Sequence, residues 1–303
     1  MKKLYRIVPK REDGSVIVLV AVAMAAMLMM VGLVIDGGNL YVSKSHLQKT
    51  ANAAALSGAQ EVVNDRAAVE TVVDDILASH EEQASLSEPP IISETEIQVN
   101  LKKDVPLFFA SLFGVESLPI QVEAKAGLNP IGEAKGAVPL GIHEQVELVY
   151  GDAYELKVDA GDSQNGHFGI LALQGPGAKN YEETLKYGFD EALKVGDVVN
   201  TQTGNIAGPT RDGVNHRINN SPNDIEGYIP RDSDRIMLVL VYNTDGVSQG
   251  SVRITGFAYF YLEEQMGKND DSIRGKFIEY AGSGMAGDSN PPDYGAYAIK
   301  LEE

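Results

Sequence analysis

The sequence predicts an α+β chain in four successive parts: a single N-terminal transmembrane helix, a helical stalk that extends it, a small strand-helix-strand unit, and a β-rich C-terminal domain. Three observations carry this prediction. Twenty consecutive residues from Val16 to Ile35 carry no charge, a helical apolar pattern continues beyond them, and from residue 129 the chain breaks into short alternating segments punctuated by Gly and Pro. The expected divisions are 1–13 (basic, cytoplasmic), 14–35 (membrane span), 36–88 (stalk), 89–128 (α/β unit) and 129–303 (β-rich, outside the membrane).

The span comes first. At about 1.5 Å rise per residue, twenty helical residues cover roughly 30 Å, the thickness of a bilayer's hydrocarbon core. Eleven of the twenty are Val, Ile or Leu, and at about −0.3 to −0.6 kcal/mol each they favour insertion by roughly 3 to 7 kcal/mol. A cleaved secretory signal has a shorter apolar core and an A-x-A-like site behind it, so a retained anchor is the better reading. Lys2, Lys3, Arg6, Lys10 and Arg11 precede the span and Asp36 is the first charge after it. The positive-inside bias then leaves the N-terminus in the cytoplasm and everything from Asp36 onward outside.

Charge and composition narrow the partners. The chain carries a net charge of −18, and residues 1–13 hold five basic and two acidic groups, which leaves −21 beyond them. A surface of that sign repels phosphate backbones, so no nucleic-acid partner is expected. There are no cysteines, hence no disulfide framework, thiolate metal site or cysteine nucleophile.

Past the span the helical periodicity persists. Leu40, Leu47, Ala51, Ala54, Ala55, Gly58 and Val62 fall on one stripe, with Lys44, Gln48, Lys49, Asn52 and Gln60 largely elsewhere. Small side chains let helix backbones approach closely, so this stripe is the candidate helix-packing surface, its partner lying in the same chain or in a neighbouring subunit. Gly37 and Gly38 mark a potential hinge; if they stay helical, span and stalk form one rod of nearly fifty residues.

The segment IDGGNLYVSKSHLQKTANAAALSGAQ, with Gly14 ahead of the span, resembles the opening of the TadE/TadG-like group of Tad (Flp) pilus-assembly proteins. The positions that carry the resemblance are Gly14, Ile35, Asp36, Gly37, Tyr41, Leu47, Gln48, Ala51, Ala53, Ala54, Ala55, Leu56, Gly58 and Ala59; Asn52 stands where the family more often has Asp. The resemblance implies a membrane-anchored assembly protein that works beside other Tad-type subunits. Related pilins are cut after a Gly when Glu stands five residues on, but here Leu19 follows Gly14 at that spacing, so cleavage after Gly14 is not predicted.

A second amphipathic helix is expected over 67–78, then an acidic linker at 79–90. Two alternating segments, EIQVNL and LPIQVEAKAGL, flank VPLFFASLFG, where Pro106 suits a helix start and Gly114 a stop. Beyond residue 129 the expected strands are QVELVY, YELKVD, HFGILALQ, RIMLVLVY and SVRITGFAYFYLEE, the last two an antiparallel pair at the centre of a sheet. YEETLKYGFDEALKVG is the expected helix there, and TQTGNIAGPTRDGVNHRINN reads as a polar, glycine-dense loop whose region holds Arg211, Arg217, Arg231 and Arg235.

No motif specifies catalysis. The G-x-S-x-G at 246–250 lies between two strands with no later His, unlike a nucleophile elbow. The loop GSGMAGDS places Asp288 where a phosphate loop needs Lys. The five histidines are scattered, and VDAGDSQNGHFG gathers oxygen donors for calcium without the alternation of a calcium loop. No catalytic, cofactor or metal residue is therefore assigned. The expected partners are the lipid bilayer and other Tad-type membrane or pilin subunits. The alternatives are an anchored surface adhesin, which would bind an unidentified surface ligand through the loops after Thr201, or an envelope-polymer hydrolase with paired carboxylates in the β-rich domain.

Overall fold

The computed structural model describes residues 13–157, 168–202, 206–221, 229–287 and 291–302, with side chains from Val16 onward. Helix α1 (Asp13–Ala59) is continuous through Gly37 and Gly38. At 1.5 Å per residue its 47 residues make a rod of about 70 Å. Its first half is bare: from Val16 to Ile35 the side chains stand exposed on every face save at Gly32. Such a stretch is long and apolar enough to cross a membrane.

The second half of α1 folds into the rest of the chain. After a turn over residues 60–64 comes α2 (Arg66–Ser79), whose start is fixed by Asp65: its side chain accepts the Ala68 N–H at 2.7 Å. Val69, Val73 and Leu77 of α2 are buried with Leu47, Ala51, Ala54, Ala55 and Ala59 of α1 in one core. The floor of that core is a sheet. Strands β1 (Ile91–Ile92), β2 (Glu96–Pro106) and β3 (Ser117–Ala134) run antiparallel in sequence. Ile97, Val99, Leu101 and Val105 of β2 and Ile120, Val122, Ala124 and Ala126 of β3 alternate inward under the two helices. The expected helix between the strands is a single 3₁₀ turn, Ala110–Phe113. The unit is thus a hairpin with a shaped loop: Gly114 turns into the left-handed region at φ 88° and stops the coil after one turn.

The remaining elements are β4 (Ala137–His143), β5 (Ala153–Lys157), β6 (Phe168–Ile170), α3 (Ala178–Tyr187), β7 (Leu193–Lys194), β8 (Val198–Asn200), α4 (Ala207–Asn220), β9 (Ile236–Asn243), β10 (Ser251–Leu262), β11 (Ser272–Ile278), β12 (Tyr280–Ala281), β13 (Met285–Ala286) and β14 (Ala296–Glu302). A second sheet has the order β5-β11-β10-β9-β4-β6, with β8 beside β10. As expected, β9 and β10 form an antiparallel pair inside it. Their unbroken apolar runs arise because both faces are covered. Met237, Val239 and Val241 join α3 and α4 in one core, while Leu238, Leu240 and Tyr242 join residues of the first sheet in another.

The two sheets are tied together by β3. It runs unbroken through the expected division at residue 129, pairing with β14 from Lys125 to Pro130 and with β7 and β13 at its end. Lys125 bridges Glu96 and Glu302 at 2.8 Å each, fixing β2, β3 and β14 in register.

Several expected elements differ. QVELVY is a turn, closed by the Val146 N–H on the His143 carbonyl. The helix expected over 181–196 ends at Tyr187, and its second half supplies β7. The loop expected over 201–220 contains α4: Pro209 falls in its first turn, where its missing N–H costs nothing. Gly213 lets α3 approach so closely that a Cβ there would meet Leu185 Cδ2 at 2.6 Å. The G-x-S-x-G segment is the β9-β10 turn, with Gly246 and Gly250 at φ 68° and 86°. The oxygen-donor stretch at 158–167 and Asp288 lie outside the described residues.

Candidate functional site: the junction of span and folded region

The candidate site is where α1 leaves its bare half and enters the fold. Asp36, the first charge after the span, is buried, 7% exposed. Its carboxylate accepts the Phe108 N–H at 2.7 Å, the Phe109 N–H at 3.0 and 3.2 Å, and the Ala110 N–H at 2.8 Å. Those amides open the 3₁₀ turn, whose first N–H groups have no partner within the turn itself. One carboxylate therefore satisfies three donors and fastens the β2-β3 loop to the helix. One turn further into the span, Gly32 makes room for Phe109: a Cβ there would lie 2.6 Å from Phe109 Cγ. Asn39 adds a bond from its side-chain amide to the Pro106 carbonyl at 3.0 Å.

Further along the stalk, Gln48 donates to the Glu123 carbonyl at 2.8 Å and to Asn52 Oδ1 at 2.9 Å, holding α1 on β3. Glu82, in the stretch expected as a plain acidic linker, is buried and accepts from Lys103 of β2 and from the Ser85 hydroxyl, both at 2.5 Å, with His46 of α1 at 3.6 Å. Burial pushes its carboxyl up, but Lys103, Ser85 and His46 outweigh that and hold it below the ordinary carboxylate value. Where α1 ends, Arg231 donates to Glu61 at 2.9 Å and to the Gln60 carbonyl, and lies 5.6 Å from the Tyr280 ring centroid. That cation meets the free carbonyl end of the helix and joins it to the β12 region.

The candidate helix-packing residues are thereby located. Leu47, Ala51, Ala54 and Ala55 are wholly buried, Gly58 is buried, and Leu40 and Val62 pack at the edge of the same core. Their neighbours are the chain's own α2, β2 and β3. At Gly58 a Cβ would lie 2.6 Å from Ile97 Cδ1 and 3.0 Å from Val73 Cγ2. The residues shared with the family resemblance divide in two. Asp36, Leu47, Gln48, Ala54, Ala55 and Leu56 serve this internal packing. Gly14 lies in the first turn of α1, and Gly37 and Tyr41 touch nothing that explains them: Gly37 has open space around it and Tyr41 is 76% exposed.

Between span and loop lies an apolar groove of about 610 Å³, lined by Leu28, Leu33, Leu107, Phe109, Leu112 and Phe113 among others. A second cleft of about 550 Å³ is lined in part by Glu61, Asp65 and Glu279, but Glu61 is paired with Arg231 and Asp65 caps α2. Among the described residues, no three His, Asp or Glu side chains are grouped to hold a metal ion. Of the arginines grouped in the sequence, Arg217 is buried and donates to the Leu185 and Asp234 carbonyls at 2.5 and 2.9 Å.

Residues 14–61 match the family model of Flp pilus-assembly TadE/G-like proteins, and residues 41–126 match that of Tad-like Flp pilus-assembly proteins. The N-terminal part of the chain belongs to the Tad-like Flp pilus-assembly family. The two matches together cover the bare helix, the stalk, α2 and the β2-β3 hairpin, and end within β3 at residue 126. No curated protein and no solved structure matches the chain. The family is one of structural and assembly proteins, and these matches together with the apolar N-terminal helix support a membrane-anchored, Tad pilus-related protein.

Proposed function

We propose that this protein is a structural subunit of Tad/Flp pilus assembly, anchored with its N-terminus in the cytoplasm and its folded region outside, and that it acts by lateral helix packing rather than by catalysis. The reading rests on one observation: α1 uses its alanine face inside its own fold but leaves the flank of that face near the membrane, with Gly37 at the rim of the loop groove and Tyr41 one turn on, uncovered. Gly37, with Gly38 beside it, allows another helix backbone to come close at the membrane surface, and Tyr41 supplies an apolar ring with a polar tip suited to that boundary. The bare surface from Val16 to Ile35 continues this face into the lipid. The stalk stripe was the first candidate for recruiting neighbours; its burial moves the proposed contact to the flank of that stripe, roughly 50° to 90° around the helix at Gly37 and Tyr41.

A photo-cross-linking side chain in place of Tyr41, in cells that assemble the Tad system, tests this. The expected result is an adduct with another Tad-type membrane or pilin subunit, and the same probe at Lys300, on β14, gives none. Adducts with lipid alone at Tyr41 would remove the proposal.

A further inference from the structure

We infer that the β2-β3 loop is a second membrane contact: an apolar foot, carried by Phe108, Leu112 and Phe113, that sits in the outer leaflet beside the span. The inference rests on the anchored reading of α1. Its starting point is exposure. Phe108 is 61%, Leu112 78% and Phe113 73% exposed, and Val115 and Leu118 extend the same apolar surface. A loop joining two strands in water has no reason to present three such side chains together.

Depth is the second argument. Phe109, in the same loop, packs on Gly32, four residues before Asp36 and so about 6 Å further into the span. Apolar faces of membrane-surface segments sink about 5–10 Å into the boundary between headgroups and acyl chains. If residues 16–35 cross the bilayer, the loop's apolar side chains have no other level to occupy. Its surface is also continuous with that of the span, since Leu28, Met29 and Leu33 share the apolar groove with Leu112 and Phe113.

The third argument is polar satisfaction, which backbone near lipid requires. Asp36 takes the N–H groups of Phe108, Phe109 and Ala110. The Leu112, Gly114 and Val115 N–H groups bond to carbonyls within the loop, and the Ser111 hydroxyl bonds to the Phe108 carbonyl at 2.6 Å. Asp36 is thus what makes an irregular loop compatible with the edge of the hydrocarbon. A single span is free to rotate about its axis; a foot held to it fixes which way the sheets and the Gly37–Tyr41 face point above the membrane.

The chain has no tryptophan, so single Phe113→Trp, Leu112→Trp and Met24→Trp variants of the full-length protein each report one place. They are reconstituted into phosphatidylcholine vesicles containing lipids brominated either near the headgroup or near the chain end. For Phe113→Trp and Leu112→Trp the expected result is blue-shifted emission, most of it quenched by shallow bromines and little by deep ones. Met24→Trp, in the middle of the span, is quenched best by deep bromines. If the loop variants are quenched by aqueous acrylamide and not by lipid while Met24→Trp still reports lipid, the foot is wrong and the anchor stands. If the loop variants are shielded from both quenchers, a protein covers the loop and the inference is equally overturned. If Met24→Trp is itself unaffected by lipid, the anchored reading fails first. Leu112 and Phe113 are so exposed that the fold tolerates the substitutions, and retention of α1 in the far-ultraviolet spectrum verifies it.

Discussion

Three glycines of α1 outside the span separate internal packing from contact with a partner, because each meets a different environment. At Gly37 and Gly38 an added methyl meets nothing within 4 Å, whereas at Gly58 it would sit 2.6 Å from Ile97 Cδ1. Replacing an unobstructed helix glycine by alanine removes about 1 kcal/mol of helix penalty. Gly37→Ala and Gly38→Ala should each therefore stabilise the isolated chain by about that much. Gly58→Ala receives the same gain but meets an overpacking cost of about 1–3 kcal/mol, softened where the Ile97 terminus can move. Its net effect lies between neutral and about 2 kcal/mol destabilising. The spread between the two classes is about 1–3 kcal/mol, roughly 5- to 150-fold in the unfolding equilibrium. Denaturant titration of the detergent-solubilised full chain, followed by circular dichroism, reads it directly. In cells the order reverses: Gly37→Ala, the more stable protein, should lose the subunit adduct at Tyr41, because the methyl stands where the neighbouring backbone comes close. A Gly58→Ala protein as stabilised as Gly37→Ala would refute the packing of the stalk on β2 and α2.

Other perturbations probe the same structure. Asp36→Ala leaves the three loop amides without their acceptor, so limited proteolysis should cleave the β2-β3 loop many-fold faster, with Asp36→Asn, which keeps one acceptor oxygen, between the two. Glu82 has a carboxyl held below its ordinary value, so its contribution is complete at neutral pH and is lost as pH falls through that lowered value; the difference in melting temperature between wild type and Glu82→Gln should shrink on acidification. Arg231→Ala should cost about 1–2 kcal/mol, a figure reduced because the guanidinium is a third exposed, and should show as faster hydrogen exchange at the C-terminal end of α1. Phe260→Ala empties a fully buried site 5.0 Å from the Phe277 ring centroid and should cost about 3–5 kcal/mol in a denaturant titration.

The long helix, α2, β2, β3, β9 and β10 were legible because their apolar residues recur at the period of the element they form. The small-residue stripe was legible as a packing face, but periodicity carries no information about who packs on it; that depended on β2 and β3, about forty to seventy residues away. The loop at 107–116 was misread as a helix since Pro106 and Gly114 punctuate a helix and a 3₁₀ turn alike. Its unusual apolar content was the available sign that it faces something other than water. Helix α4 was hidden by its glycines and asparagines, whose poor propensity is overridden by packing on α3. Glu82 and Arg231 had no local signature at all: each is defined by partners brought from distant parts of the chain.

The proposed assembly role and the membrane foot both depend on α1 crossing the membrane with its basic end inside. The chain has no cysteine, so Lys3→Cys and Lys49→Cys variants can be treated with a membrane-impermeant maleimide in intact cells. The account predicts that Lys49→Cys, on the exposed side of the stalk, is labelled at once, that Lys3→Cys is labelled only after permeabilisation, and that both proteins stay with the membranes through an alkaline wash. Labelling of Lys3→Cys in intact cells, or release of uncut protein by the wash, would contradict it.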